Sequence, residues 1–213
     1  MISVVLSLGL GFLIFEMATR RRGPHFRSES INNLRQIGLA LFEFDTTYGR
    51  FPDSGTIANL KRDFPDSTVP LGTSSSNDFF RQLLVSEICA SEQMFYSRSP
   101  GPGRVRKPDN RFDGSFALEK GECGFAYIAG LTTTSHPPET PIVVSPLVPG
   151  KLVFDYQFCK EYLDGKAVIL RIDNSVTSLP VDKSGKVVLN GKDLFDPSQP
   201  FWGGKAPDVK WPE

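Results

Sequence analysis

The residues able to carry chemistry are few and scattered. The 213-residue chain holds two histidines, His25 and His136, and three cysteines, Cys89, Cys123 and Cys159. A Ser-His-Asp or Cys-His arrangement needs an imidazole beside its nucleophile. His25 follows the N-terminal apolar segment and His136 lies in the Pro-bearing turn "TTTSHPPE", so such a pairing would rest on His136 alone. No G-x-S-x-G, P-loop, G-x-G-x-x-G or H-E-x-x-H occurs. The cysteines form no C-x-x-C pair, which argues against structural zinc and for three buried free thiols rather than a bridge. "DKSGK" and "DLFD" put carboxylates near turns. Calcium takes about six to eight oxygen ligands, more than these stretches supply. With 24 acidic residues a carboxylate pair for glycoside hydrolysis is always available, yet nothing marks one. The expectation is a non-enzyme with no catalytic residue, no cofactor and no metal site.

Composition is that of a folded domain: 39% hydrophobic, 23% charged. Lys+Arg and Asp+Glu both number 24, and zero formal charge argues against a nucleic-acid partner. The Pro-, Gly- and Arg-rich stretch from Ser97 to Arg111 interleaves no aromatic to stack on bases and reads as a solvated linker.

Ile2 to Phe15 is fourteen residues without a charge, closed by Glu16 and then Arg20, Arg21 and Arg22. A membrane span usually needs about 20 apolar residues. Met17, Ala18 and Thr19, with snorkelling arginines, bring the run close to that length. No Lys or Arg precedes it and "FEMATR" is a poor cleavage site, so an anchor over residues 1–19 is expected rather than a cleaved signal. Ile2, Val5, Leu8, Phe12 and Phe15 would form its anchoring and assembly face. The positive-inside rule by itself would place the three arginines in the cytoplasm.

Gly23 and Pro24 predict a bend, after which Ser28 or Ser30 would cap a helix. Ile31, Leu34, Ile37, Leu41, Phe44 and Tyr48 recur at three and four, giving an apolar core face to a spine helix within residues 20–48. Arg35, Glu43 and Asp45 sit off that stripe; Gly49 is the expected cap and Pro52 prevents resumption. In "NDFFRQLLVSEICASEQMFY", Phe79, Leu83, Ile88 and Phe95 read as core, Asp78 as a helix cap, and Arg81 and Gln82 as water-facing. "CGFAYIAGL", "TPIVVSPLV", "KAVILRI" and "SVTSLPV" read as strands. Turns at Asp173-Asn174, "DKSGK" and Asn190-Gly191 predict an antiparallel meander. The fold class expected is α+β, a long N-terminal helix packed on a small antiparallel sheet, with residues 49–213 as the globular part and an irregular tail. In that tail Phe201, Trp202 and Trp211 could contact a polysaccharide or partner protein, or anchor the tail by packing.

"NNLRQIGLALFEFDTTYGRFP" resembles the first ectodomain helix of type IV pilin and pseudopilin-like proteins. It is most similar to a pilin-like family of unknown function abundant in planctomycetes and verrucomicrobia. Asn32, Asn33, Leu34, Gln36, Ile37, Gly38, Leu39, Ala40, Leu41, Tyr48, Gly49, Phe51 and Pro52 carry the resemblance. "KGECGFAYI" and "AVILRIDNSVTSLPVD" extend it less specifically. Two features depart from the pattern. Gly11, Phe12 and Glu16 have the spacing of a pilin cleavage signal, but "MATRRR" stands where the long apolar run should follow. Leu163 stands where many relatives carry a histidine, and Asp173 is followed by Asn174 rather than Gly. The resemblance implies a single-pass protein of the cytoplasmic membrane, its domain facing the periplasm or cell exterior. The implied role is structural or secretion-associated, with other pilin-like subunits as partners. The other reading is a surface binding module built on the C-terminal aromatics.

Overall fold

The computed structural model describes residues 22–98, 106–148 and 155–213. The expected anchor residues Ile2, Val5, Leu8, Phe12 and Phe15 lie outside them. Among the described residues, no helix is long and apolar enough to cross a membrane.

Helix α1 (Arg22–Tyr48) is the spine. Leu34, Ile37, Leu41 and Phe44 are buried, and Ile31 and Tyr48 half-buried, so the threefold and fourfold spacing lands on one inner face. Gly23 and Pro24 are helical and do not break it. Ser28 and Ser30 are consequently not caps. Ser28 Oγ donates back to Pro24 O at 3.1 Å, while the buried Ser30 hydroxyl bonds Ser97 Oγ at 2.8 Å. Ser97 in turn bonds Ser145 Oγ at 2.9 Å, a buried hydroxyl chain from helix to sheet. The helix stops at Gly49, whose φ of +74° suits a residue without Cβ and whose N–H reaches Asp45 O at 2.7 Å.

Two short helices follow, α2 (Ile57–Asp63) and α3 (Ser76–Val85). Every residue of α3 is buried. Its cap is Ser75, not Asp78: Ser75 Oγ accepts from Asp78 N at 3.2 Å and Asp78 Oδ2 accepts from Ser75 N at 3.1 Å. Arg81 and Gln82 do not face water. Arg81 donates to Ala117 O, Leu118 O and Asp78 Oδ1 at 2.9–3.0 Å, and Gln82 Nε2 donates to Asp53 O at 3.0 Å. Polar side chains with this many partners can be buried because each lost water is replaced.

The sheet has five antiparallel strands in the order β4 (Val176–Pro180), β3 (Lys166–Arg171), β2 (Pro141–Ser145), β1 (Ala126–Ala129), β7 (Asp208–Lys210). Val144 pairs with Ile169, Ile169 with Thr177, and Ile128 with Val209. All of β2 and the centre of β3 are buried without alternation, so both faces of the sheet are covered. Helix α1 lies over β3 and β4, and the stripe residues share one core with Val143, Val168 and Leu170. The chain is therefore α+β, helix laid on antiparallel sheet.

Two expectations about the second half are corrected. The meander ends at β4: β5 (Val188–Leu189) and β6 (Lys192–Asp193) pair only with each other. Gln199 Nε2 holds that hairpin by donating to Leu189 O, Lys192 O and Asp193 O at 3.0–3.2 Å. The tail is not irregular throughout, because β7 adds an edge strand beside β1. Its last residue is clamped at the α3 cap, with Ser75 Oγ donating to Glu213 Oε1 at 2.6 Å and Glu213 N donating to Asn77 Oδ1 at 3.1 Å.

Candidate functional site

The groups that could do nucleophilic chemistry are engaged elsewhere. His136 Nδ1 accepts from Thr132 N at 3.2 Å and ties its own turn together; the His25 ring packs edge-on against Phe26. Cys89 and Cys123 are buried and free, and burial pushes both thiols up to about 12. Cys159 is half-buried and free, its thiol also raised by burial. A thiol held protonated is a poor nucleophile.

The carboxylates of "DKSGK" and "DLFD" are spent on turns. Asp182 Oδ1 accepts from Ser184 N, Ser184 Oγ and Lys186 N at 2.7–2.9 Å, bonds that hold its carboxyl below its usual value. Asp193 Oδ1 accepts from Phe195 N at 3.0 Å, and Asp196 Oδ1 from Ser198 N at 2.8 Å. Between Asp155 and Asp193 stands the ammonium of Lys186, 2.8 and 2.9 Å from their oxygens. A fixed cation of the chain's own already fills that place.

The C-terminal aromatics are packing groups. Phe201 and Trp202 are buried, their rings 5.0 Å apart and T-shaped, and Trp202 Nε1 donates to Leu194 O at 2.7 Å. Trp211 is half-buried with its ring 5.6 Å from Tyr156. A sugar-stacking platform needs an open ring face, which Phe201 and Trp202 do not offer. Exposed apolar side chains occur instead on α1, where Leu39 and Phe42 are 62% and 60% accessible. Beside Leu39 runs a shallow groove with Ala40, Ile88 and Met94 in its wall and Gln36 and Glu43 on its rim. The sequence held the signal: two large apolar residues three apart, off the core stripe, where a solvated face should be polar.

A second feature was not foreseen. Three segments converge beside the helical turn at Glu92–Phe95. The Asn110 side chain accepts from Ser91 Oγ at 3.1 Å and from Glu92 N at 2.8 Å, and Gln93 Nε2 donates to Pro108 O, so the 108–110 loop is fastened to that turn. Glu92, Asp109 and Glu122 thereby each bring one carboxylate oxygen within 4.8 Å of the others'. Glu92 and Glu122 have no accessible surface. Burial raises both carboxyls; Glu122 and Asp109 add to the rise at Glu92, and Asp109 and Glu119 to that at Glu122. No short motif announces this cluster, since its members are 13 to 30 residues apart in the chain.

No protein-family profile, no curated protein and no solved structure matches this chain. The resemblance at residues 32–52 therefore rests on those residues themselves.

Proposed function

We propose that the protein is a membrane-anchored, pilin-like structural or secretion-associated subunit without enzymatic activity. Residues 1–19 would hold it in the cytoplasmic membrane, the sheet domain would face the periplasm or cell exterior, and other pilin-like subunits would be its partners. The observation that carries this reading is the two-sided character of α1. Its inner face is built into the domain core, while its outer face keeps Leu39 and Phe42 in water. A helix used only to complete a core has no need of exposed large apolar groups, whereas one that meets a neighbouring subunit does. The engagement of His136 and the protonated state of the cysteines support the non-enzymatic part.

The test is fractionation of cells making the full chain, protease shaving of intact cells, and mass spectrometry of the mature N-terminus. The expected result is a membrane-bound protein that retains residues 1–19 and whose domain is cut from outside. A domain found in the cytosol, or a mature chain lacking the apolar run, rejects the reading. The burial of Phe201 and Trp202 counts against the binding-module alternative, which would have to rest on the half-buried Trp211.

A further inference from the structure

We propose that Glu92, Asp109 and Glu122 form a binding site for a hard divalent cation such as calcium. Glu92 Oε1 accepts from Leu118 N at 2.5 Å, but Oε2 is buried with no hydrogen-bond partner. Glu122 Oε2 accepts from Glu119 N at 2.7 Å, and Oε1 is likewise buried without a hydrogen bond, its nearest cation being Arg106 Nη2 at 3.4 Å. A buried carboxylate oxygen with nothing to accept from is costly, and two beside each other are more so. Each glutamate has one oxygen fixed on a backbone N–H and the other without a hydrogen bond, which sets the direction of both side chains.

The chain's own charges do not settle the account. Arg106 is half exposed and divides itself between Glu119 and Glu122, while Lys107 is paired with Glu29 at 3.4 Å. Glu92 and Asp109 have no cationic side chain in an ion pair among the described residues. Asp109 completes the set from the solvent side: it is exposed, and only its Oδ1 accepts, from Arg111 N at 3.1 Å. Three carboxylates alone do not complete the about six to eight oxygens that calcium takes, so water on the Asp109 side would have to supply the rest.

The donor set narrows the ion. Three carboxylates within 4.8 Å of one another suit a hard cation, and calcium tolerates irregular coordination where magnesium demands a near-ideal octahedron. Zinc would favour nitrogen or sulfur ligands, and the cluster has neither. Pinning of the 108–110 loop by Asn110 and Gln93 means the ligands are held in place before the ion arrives.

The site is tested on the full chain in detergent after exhaustive treatment with a chelator. Calcium chloride is titrated in calorimetrically, and thermal unfolding is followed with and without it. The expected result is one site per chain with a dissociation constant of about 0.1–1 mM, the range of modest calcium sites. About 1 mM calcium should then lower the unfolding constant by about two- to elevenfold by mass action. Magnesium chloride should bind at least tenfold more weakly. Glu92→Gln should abolish the calcium effect. Because Glu92 is buried and its variant could misfold, Asp109→Asn on the exposed side is the second arm, expected to weaken calcium about tenfold while leaving the chelated protein's melting temperature unchanged. No heat and no thermal shift in the wild type overturns the proposal. Calcium binding that both variants retain is general surface binding and overturns it equally.

Discussion

Helix and sheet approach closely at Gly38, and this sets up a sharp test of how α1 is seated. A methyl group at this position would stand 1.9 Å from Asn174 Oδ1, 3.0 Å from Asn174 Cγ and 2.9 Å from Leu170 Cδ1. Ordinary contact is nearer 3.5–4.0 Å, so Asn174 or the helix must move by more than an ångström. Two terms oppose each other in Gly38→Ala. Helix propensity favours alanine by about 0.8–1.0 kcal/mol. Overpacking costs about 1–3 kcal/mol. Because Asn174 occupies the turn between β3 and β4 with φ of +63°, its backbone is not free to retreat, and the cost should prevail by about 1 kcal/mol. For a chain of this length that is a fall of about 2–4 °C in melting temperature. Removing the obstacle reverses the sign. Asn174→Gly accepts the positive φ and deletes a buried oxygen that has no partner, so it should itself be nearly neutral. In that background Gly38→Ala should be neutral or stabilising, giving a coupling of about 1–2 kcal/mol in the double-mutant cycle. Urea unfolding of the four proteins measures it. Additive effects, with coupling below about 0.3 kcal/mol, would refute the seating of α1 against the β3–β4 turn.

Other consequences follow from particular contacts. Ser75→Ala removes the cap of α3 and the hydroxyl donated to Glu213, and should cost about 1–2 kcal/mol in urea unfolding, with Ser75→Asn recovering part of it. Raised carboxyls at Glu92 and Glu122 mean that the folded chain holds protons the unfolded chain releases, so their contribution to stability falls as pH rises from the ordinary glutamate value through the raised one. In chelator, Glu92→Gln should therefore gain on the wild type with rising pH across that window, and a difference that stays flat by urea unfolding contradicts the burial of that charge. With thiols pushed up to about 12, Cys89 and Cys123 should resist iodoacetamide in the native protein at pH 8, while Cys159 is alkylated first; peptide mapping before and after denaturation reads this directly.

What could be read in the sequence follows from which residues report on themselves. The α1 stripe was legible because one periodicity decides both helix and buried face, and Gly49 closes it locally. Strands β1 to β4 were legible because β-branched runs between turn residues allow little else. Arg81 and Gln82 were not: their type says surface, and only the carbonyls of Ala117, Leu118 and Asp53, donated to from across the fold, make their burial tolerable. β7 was hidden for a similar reason. "DVK" has no strand signature, and its pairing is imposed by the free edge of β1. The carboxylate cluster was the least accessible, because its geometry depends on Asn110 and Gln93 fastening a loop whose sequence reads only as irregular.

The outer face of α1 limits what any neighbouring subunit can gain from it. Asn32, Arg35, Gln36, Glu43 and Thr46 are exposed along the same side as Leu39 and Phe42, so apolar surface is confined to the middle of the stripe. Fully burying a Leu or Phe side chain contributes about 1.5–3 kcal/mol. Roughly three-fifths of each remains accessible in the single chain, so contact with a neighbour can add about 1–2 kcal/mol per residue. A patch of two such groups strengthens association by about 30- to 800-fold and cannot hold subunits together unaided. If the subunits do associate, the larger share must come from surfaces other than this patch, and Leu39 and Phe42 would set how neighbours are aligned. Leu39→Ser with Phe42→Ser should then weaken self-association in detergent by one to three orders of magnitude, measured by sedimentation, while the urea midpoint stays within about 0.5 kcal/mol of wild type as for ordinary surface changes. Unchanged association at unchanged stability would mean that this face meets no second copy, and the assembly role assigned to α1 would be lost.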